Sequence, residues 1–169
     1  PMKTIIFTCE TITPMFLAGA YGTTPELRAP SIKGALRFWW RAMNGHLSLT
    51  KLKQREAEIL GGTETGQGRS KVIIRVSDEK LETSEVKLVP HKNFKLPAFK
   101  TDQKFTVHLS LVANHENFNA EQLKALFILT CTLGGLGKRT RRGMGSIRIK
   151  EIDKVAFSCT TLKDIFNHL

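Results

Sequence analysis

The chain has 169 residues, enough for a single compact domain that buries about two thirds of the surface its unfolded form exposes and needs no disulfides to fold. Its 26 Lys plus Arg against 15 Asp plus Glu give a net charge of +11, which favours a polyanionic partner, with nucleic acid ahead of an acidic membrane surface. No run of about 18 apolar residues and no basic, apolar leader occurs, so no membrane role is expected and a cytoplasmic location is.

Residues 4 to 10 put Ile5, Phe7 and Cys9 on one side, the period of two of a half-buried strand. Residues 11 to 30 carry Pro14, Gly19, Gly22, Pro25 and Pro30 and read as a long loop, of a length that in compact domains usually serves function. Ser31 is expected to cap a helix with the apolar stripe Ile32, Leu36, Trp39, Met43 and Leu47, and with Lys33, Arg37 and Arg41 stacked on a neighbouring flank at steps of four. Residues 51 to 60 form a second, charged helix stopped by Gly61 and Gly62, and Gly66 and Gly68 mark a turn.

Residues 71 to 76 alternate as a strand, and residues 86 to 89 make a shorter one ahead of Pro90. Charged residues interrupted by Pro90 and Pro97 make the stretch of about 78–104 an exposed basic arm. Phe105, Val107, Leu109 and Leu111 alternate with polar neighbours in the clearest strand. Asn119 and Gln122 have the spacing of a capping box that opens a helix through Leu133, apolar almost all round. Ile147 and Ile149 alternate in a closing strand, and residues 160 to 169 form a terminal helix or tail. The order β-α-β-β-α-β predicts an α+β, ferredoxin-like (RRM-like) fold, an antiparallel sheet with helices on one face, in a single domain over 1–169. Pro1 suggests either a processed terminus or a piece of a longer chain.

Two segments carry chemistry. The loop Gly134-Gly135-Leu136-Gly137-Lys138-Arg139-Thr140-Arg141-Arg142-Gly143-Met144-Gly145 combines five glycines with four cations. Glycines bring backbone N–H groups close to a phosphate, while Lys138, Arg139, Arg141 and Arg142 supply charge and, for the arginines, forked donors. A polynucleotide backbone suits that mixture. A nucleotide-triphosphate loop does not, because Thr132 stands five positions before Gly137, Arg139 follows Lys138, and the segment joins helix to strand. A solvated basic turn is the plain alternative, but it leaves the glycines unexplained. The second segment is Ser31, Lys33, Gly34, Arg37 and Arg41, where a helix start is expected to offer unpaired N–H groups to a phosphate. The alternative is an ordinary charged outer side of an amphipathic helix. Trp39 falls in the apolar stripe, whereas Trp40 at its edge is an open candidate for base stacking.

Cys9, Cys131 and Cys159 are far apart and read as buried small apolar residues, and neither they nor His46, His91, His108, His115 and His168 have metal-site spacing. No metal or cofactor is expected.

Together the segment Pro25-Glu26-Leu27-Arg28-Ala29-Pro30-Ser31-Ile32-Lys33-Gly34-Ala35-Leu36-Arg37-Phe38-Trp39-Trp40-Arg41-Ala42 and the glycine/arginine loop resemble the RAMP superfamily. The first segment is similar in particular to the subunit that caps the guide RNA's 3′ end in Cmr-type (type III-B) CRISPR complexes, and Gly61-Gly62-Thr63 also fits. The resemblance runs from about Ile5 to Ile149 and implies a RAMP fold, binding to CRISPR guide RNA with target RNA as a further candidate, and contacts with other RAMP subunits. It carries RNA-binding roles to Ser31, Lys33, Gly34, Arg37 and Arg41 and to Gly134, Gly135, Gly137, Lys138, Arg139, Thr140, Arg141 and Arg142. The family subunit has two such domains and this chain has room for one.

Cleaving relatives use an aspartate or a histidine in or near the loop after the first strand, and residues 11 to 31 contain neither. Glu26 is the lone acid there, so no catalytic residue and no nuclease activity are expected. The competing expectations are a metal-independent guide-processing endoribonuclease using His46 or His108 with a lysine, and a general basic RNA-binding module.

Overall fold

The structure is a computed structural model and describes residues 2–19, 22–63, 68–77, 81–87, 89–158 and 163. Pro1, Gly66, Cys159, His168 and all but Lys163 of the expected terminal helix or tail lie outside the described residues. The strands are β1 (Lys3–Thr11), β2 (Val72–Val76), β3 (Thr83–Lys87), β4 (Lys95–Phe99), β5 (Lys104–Leu111), β6 (Ile147–Ile152) and β7 (Val155–Ala156). The helices are α1 (Ala29–Met43), α2 (Leu49–Leu60) and α3 (Ala120–Leu129).

Five strands form one antiparallel sheet in the order β2-β5-β1-β6-β7. Without the two-residue β7 this is the ferredoxin-like order, with the first and third strands of the motif side by side in the middle. Alternation decides the faces: Ile5, Phe7, Cys9 and Thr11 of β1 are buried on the same side as Phe105, Val107, Leu109 and Leu111 of β5. The helices cover that side, and the rings of Phe7 and Phe127 from α3 meet at 4.3 Å between centroids. The opposite face sets Ile6 beside His108 and Arg75, and Glu10 beside Lys104 and Arg148.

The α3 capping box forms as expected: Gln122 N donates to Asn119 Oδ1 at 3.0 Å, and Asn119 N donates to Gln122 Oε1 at 2.9 Å. The helix then widens into a π turn over Thr130–Gly134, which delivers Leu133 and Gly134 to the following loop. Gly61 closes α2 with φ +83°, and Ser48 caps its start. Cys9 and Cys131 are free and buried, and burial pushes both thiols up.

The structure corrects three expectations. Ser31 is not the cap of α1; the helix starts at Ala29 behind Arg28, with Pro30 in the first turn where its fixed φ suits the helix. The inward row of α1 is Ile32, Leu36 and Trp40, while Trp39 is half-buried and Met43 exposed. The stretch of about 78–104, expected to be an exposed basic arm with one short strand at residues 86 to 89, contains a two-stranded sheet of β3 and β4. Pro97 is accommodated there because a two-stranded ribbon consists only of edges. Met15 and Phe99 exchange backbone hydrogen bonds of 3.0 and 2.9 Å, tying this ribbon to the loop after β1.

Candidate nucleic-acid interface

The loop after β1 and the glycine-rich loop before β6 are zipped together. Lys138 N donates to Phe16 O, Gly145 N to Pro14 O and Ile12 N to Ser146 O, all between 2.8 and 2.9 Å, and Leu136 N donates to Gly145 O within the second loop. This explains most of the glycines. A Cβ on Gly145 would overlap the Leu136 carbonyl oxygen, one on Gly135 the Gly145 carbonyl oxygen, and one on Gly137 the Phe16 carbonyl oxygen at 2.5 Å. A Cβ on Gly134 would strike the indole nitrogen of Trp39. The expectation that these glycines bare amides for a phosphate is therefore corrected: they let two loops and an indole pack at backbone distance. What they leave exposed is the charge. Lys138, Arg141 and Arg142 are exposed and Arg139 half-exposed, the last held in the left-handed region at φ +61°.

Between this platform and α1 lies a cleft of about 610 Å³. One wall is the α1 face carrying Ser31, Ala35, Phe38 and Trp39; the other carries Gly134, Gly135, Gly137, Lys138, Thr140 and Arg141. Phe16, Leu17, Ala18 and Leu133 complete it. Phe38 is 51 % exposed, its ring stands edge-on to Trp39 at 5.4 Å, and the Arg141 guanidinium carbon lies 5.7 Å from its centroid, within cation–π range. Trp40 is buried and unavailable for stacking, so the aromatic that faces out is Phe38. The sequence held a signal for it: at 100° per residue, Phe38 falls opposite the apolar stripe, where an amphipathic helix ordinarily shows a polar residue.

The other cations of α1 go elsewhere. Arg37 Nη1 donates to Glu56 Oε1 at 2.8 Å, and its Nη2 donates to the carbonyls of Leu60 and Gly61 at 2.7 Å each. Arg41 binds both oxygens of the same carboxylate. Glu56 is 3 % exposed; its burial alone would raise its pKa, but the hydrogen bonds from Arg41 and Arg37 prevail and hold it below its ordinary value. Lys33 is half-buried, and burial followed by the nearby Arg37 charge lowers its pKa. Arg37 and Arg41 line a separate depression against α2, with Lys53, Glu56, Gly61, Gly62 and Thr63, which shares no lining residue with the first. The two cation-bearing segments therefore do not join into one groove from Arg37 to Arg139; the cations divide between two sides of α1. The helix start offers little to a phosphate either, since Pro30 has no N–H and the amides of Ser31 and Ile32 already donate to Arg28 O. Gly34 is exposed with nothing within 4 Å of where its Cβ would sit.

Glu26 lies at the surface 3.8 Å from Arg28 Nε. His115 is paired with Glu58 at 2.9 Å, His108 is half-buried on the face of the sheet away from the helices, and His46 is exposed in the α1–α2 connection. Among the described residues no group of three or more His, Cys, Asp or Glu side chains is placed to hold a metal ion, and no helix is long and apolar enough to cross a membrane.

Among proteins of known sequence, the chain is similar to the CRISPR system Cmr subunit Cmr1-2 of Pyrococcus furiosus, with 28 % identity over 186 residues that cover 88 % of this chain and 96 % of that one. Among solved structures it resembles the Cmr1 crystal structure from the same organism in its apo form, with a TM-score of 0.62 and 26 % identity, over 96 % of this chain and 52 % of that one. A chain of a type III-B Cmr-beta complex bound to cognate target RNA shares the fold, with a TM-score of 0.64 at 12 % identity, over 98 % of this chain and 60 % of that one. The chain thus spans nearly all of one relative and about half of the crystallised one. The model of the RAMP superfamily matches residues 8–148, which include the end of β1, the α1 face and the glycine/arginine loop, and the chain belongs to that superfamily.

Proposed function

We propose that the chain is a non-catalytic, RNA-binding subunit of a type III CRISPR effector complex, holding guide RNA in the cleft between α1 and the glycine/arginine loop. The observation that carries this is the convergence of Lys138, Thr140 and Arg141 with Ser31, Phe38 and Trp39 around one open cleft in a chain of net charge +11. Cations beside accessible rings suit a single strand, whose phosphates and bases are both within reach. Support for the assembly comes from relatives described as Cmr subunits of a CRISPR system and from a structural neighbour that is one chain of a complex bound to cognate target RNA. Neighbouring RAMP subunits are the partners this reading implies, and target RNA a further one. The role of cap at the guide's 3′ end belongs to the same proposal.

If Lys138, Arg139, Arg141 and Arg142 contact phosphates, four cations at about 0.7 each give the affinity for single-stranded RNA a log–log salt slope of about −3. Charge reversal in the double variant Arg139→Glu, Arg141→Glu reduces that slope to about half or less. Binding of fluorescent RNA across a salt series measures it, and an unchanged slope contradicts the placement. The same RNA incubated with the protein is expected to stay intact, and cleavage abolished by His46→Ala or His108→Ala would instead support the endoribonuclease reading.

A further inference from the structure

We infer that the cleft is a slot for one unpaired nucleobase, which stacks on Phe38 after Arg141 swings aside, so that the protein selects single strands with a splayed base over duplex RNA. This rests on the RNA-binding reading above and specifies the ligand of the same site.

Three features of the free protein point to it. Phe38 lies outside the core, and its ring stands edge-on to Trp39, whose indole is in turn seated against Gly134. An exposed ring buttressed this way is a platform, and a nucleobase is the planar apolar group that a polyanion brings to it. The platform also already has an occupant of the right chemistry. The Arg141 guanidinium lies 5.7 Å from the ring centroid, whereas a base sandwiched between the two needs two stacking separations of about 3.4 Å, or about 7 Å. Loading therefore opens the arginine by about an ångström or more, and the guanidinium then covers the base or reaches its phosphate. Bases inside a duplex have no free face, so they cannot enter.

Gly34 supplies the third feature. It sits inside α1, on the helix surface between Ser31 and Phe38, without a positive φ and with no neighbour that a Cβ would touch. Glycine there weakens the helix relative to alanine. Packing does not ask for it, and a strand crossing α1 to reach Phe38 does, because the bare backbone lets the sugar-phosphate approach closely.

The test uses the full chain with a 12-nucleotide single-stranded RNA, the same RNA annealed to its complement, and a single strand in which every base is replaced by an abasic site. The wild type is expected to bind the single strand at least tenfold more tightly than either of the others. Phe38→Ala loses about tenfold for the single strand, the ordinary scale for one lost stacking contact, keeps the salt slope, and loses nothing for the abasic strand; Phe38→Tyr restores binding. Gly34→Ala raises the melting temperature while weakening the single-strand complex. If RNA binds with the expected salt slope but Phe38→Ala binds like the wild type, or loses as much on the abasic strand, the base slot is overturned while phosphate binding survives. If no RNA binds at any salt concentration, the RNA-binding reading itself fails, and this inference with it.

Discussion

Glu56 illustrates how one buried side chain redirects the apparent purpose of its neighbours. Two arginines spaced by four on α1 look like a phosphate clamp, but a carboxylate 3 % exposed on α2 draws both guanidinium groups toward itself. Removing that carboxylate leaves Arg37 and Arg41 facing each other without a counter-charge and three of the hydrogen bonds that hold α1 to α2 unmade. Glu56→Gln is expected to cost about 1.5–3 kcal/mol, the range for hydrogen bonds to charged groups, discounted from a fully buried pair because Arg41 is more than half exposed. The acid dependence follows from the direction of the shift. Glu56 has a folded pKa below its ordinary 4.5, so its contribution is complete above that value and is lost as pH falls through the lower, folded one. Urea unfolding of wild type and Glu56→Gln between pH 7 and pH 3 measures this: the gap between them is expected to close as pH drops below about 4.5, and a gap independent of pH contradicts it.

At the level of elements, the glycine/arginine loop works as a rigid mount. Two of its backbone donors, Lys138 N and Gly145 N, are spent on the loop after β1 and others on the π turn and the loop itself, and Gly135, Gly137 and Gly145 stand where a methyl group would meet a carbonyl. Gly145 is the extreme case, combining φ +68° with the overlap at Leu136 O. Gly145→Ala is expected to cost about 1–3 kcal/mol, while Gly143→Ala, at φ +82° but in open space, costs only its backbone strain and so less. Thermal melts of the two variants rank them, and equal losses would show that steric closure of the loop is not what Gly145 provides. Much at this scale was legible in advance. The alternation in β1 and β5, the Asn119–Gln122 box and the stop at Gly61 all depend on local spacing, and local spacing is what a sequence displays. Sequence spacing favours Trp39 over Trp40 because the two lie about 40° and 60° from the inward direction set by Ile32 and Leu36, and what reverses the order is the seat of the Trp39 indole against Gly134, about a hundred residues away. The β3–β4 ribbon was hidden by its own charge and prolines, which argue against a strand unless the strand is an edge.

On the scale of the whole molecule, a ferredoxin-like sheet brings the loop after its first strand and the loop before its fourth to one end, flanked by the first helix. This placement joins two sequence segments more than a hundred residues apart into one cleft, and it separates Lys138 and Arg141 from Arg37 and Arg41. The pairing of the two motifs was legible; which flank of α1 takes part was not, because that depends on where α2 packs. A net charge of +11 does not by itself choose among surfaces, since Arg75, Lys104, Arg148 and Lys150 also project from the other face of the sheet. Location is therefore the claim to test most directly. Photo-crosslinking of the full chain to single-stranded RNA carrying 4-thiouridine, followed by peptide mapping, is expected to attach RNA to the peptides containing Phe38 and residues 138–142. Crosslinks concentrated instead on Ile6, His108 and Arg148 would place RNA on the open face of the sheet and contradict the account.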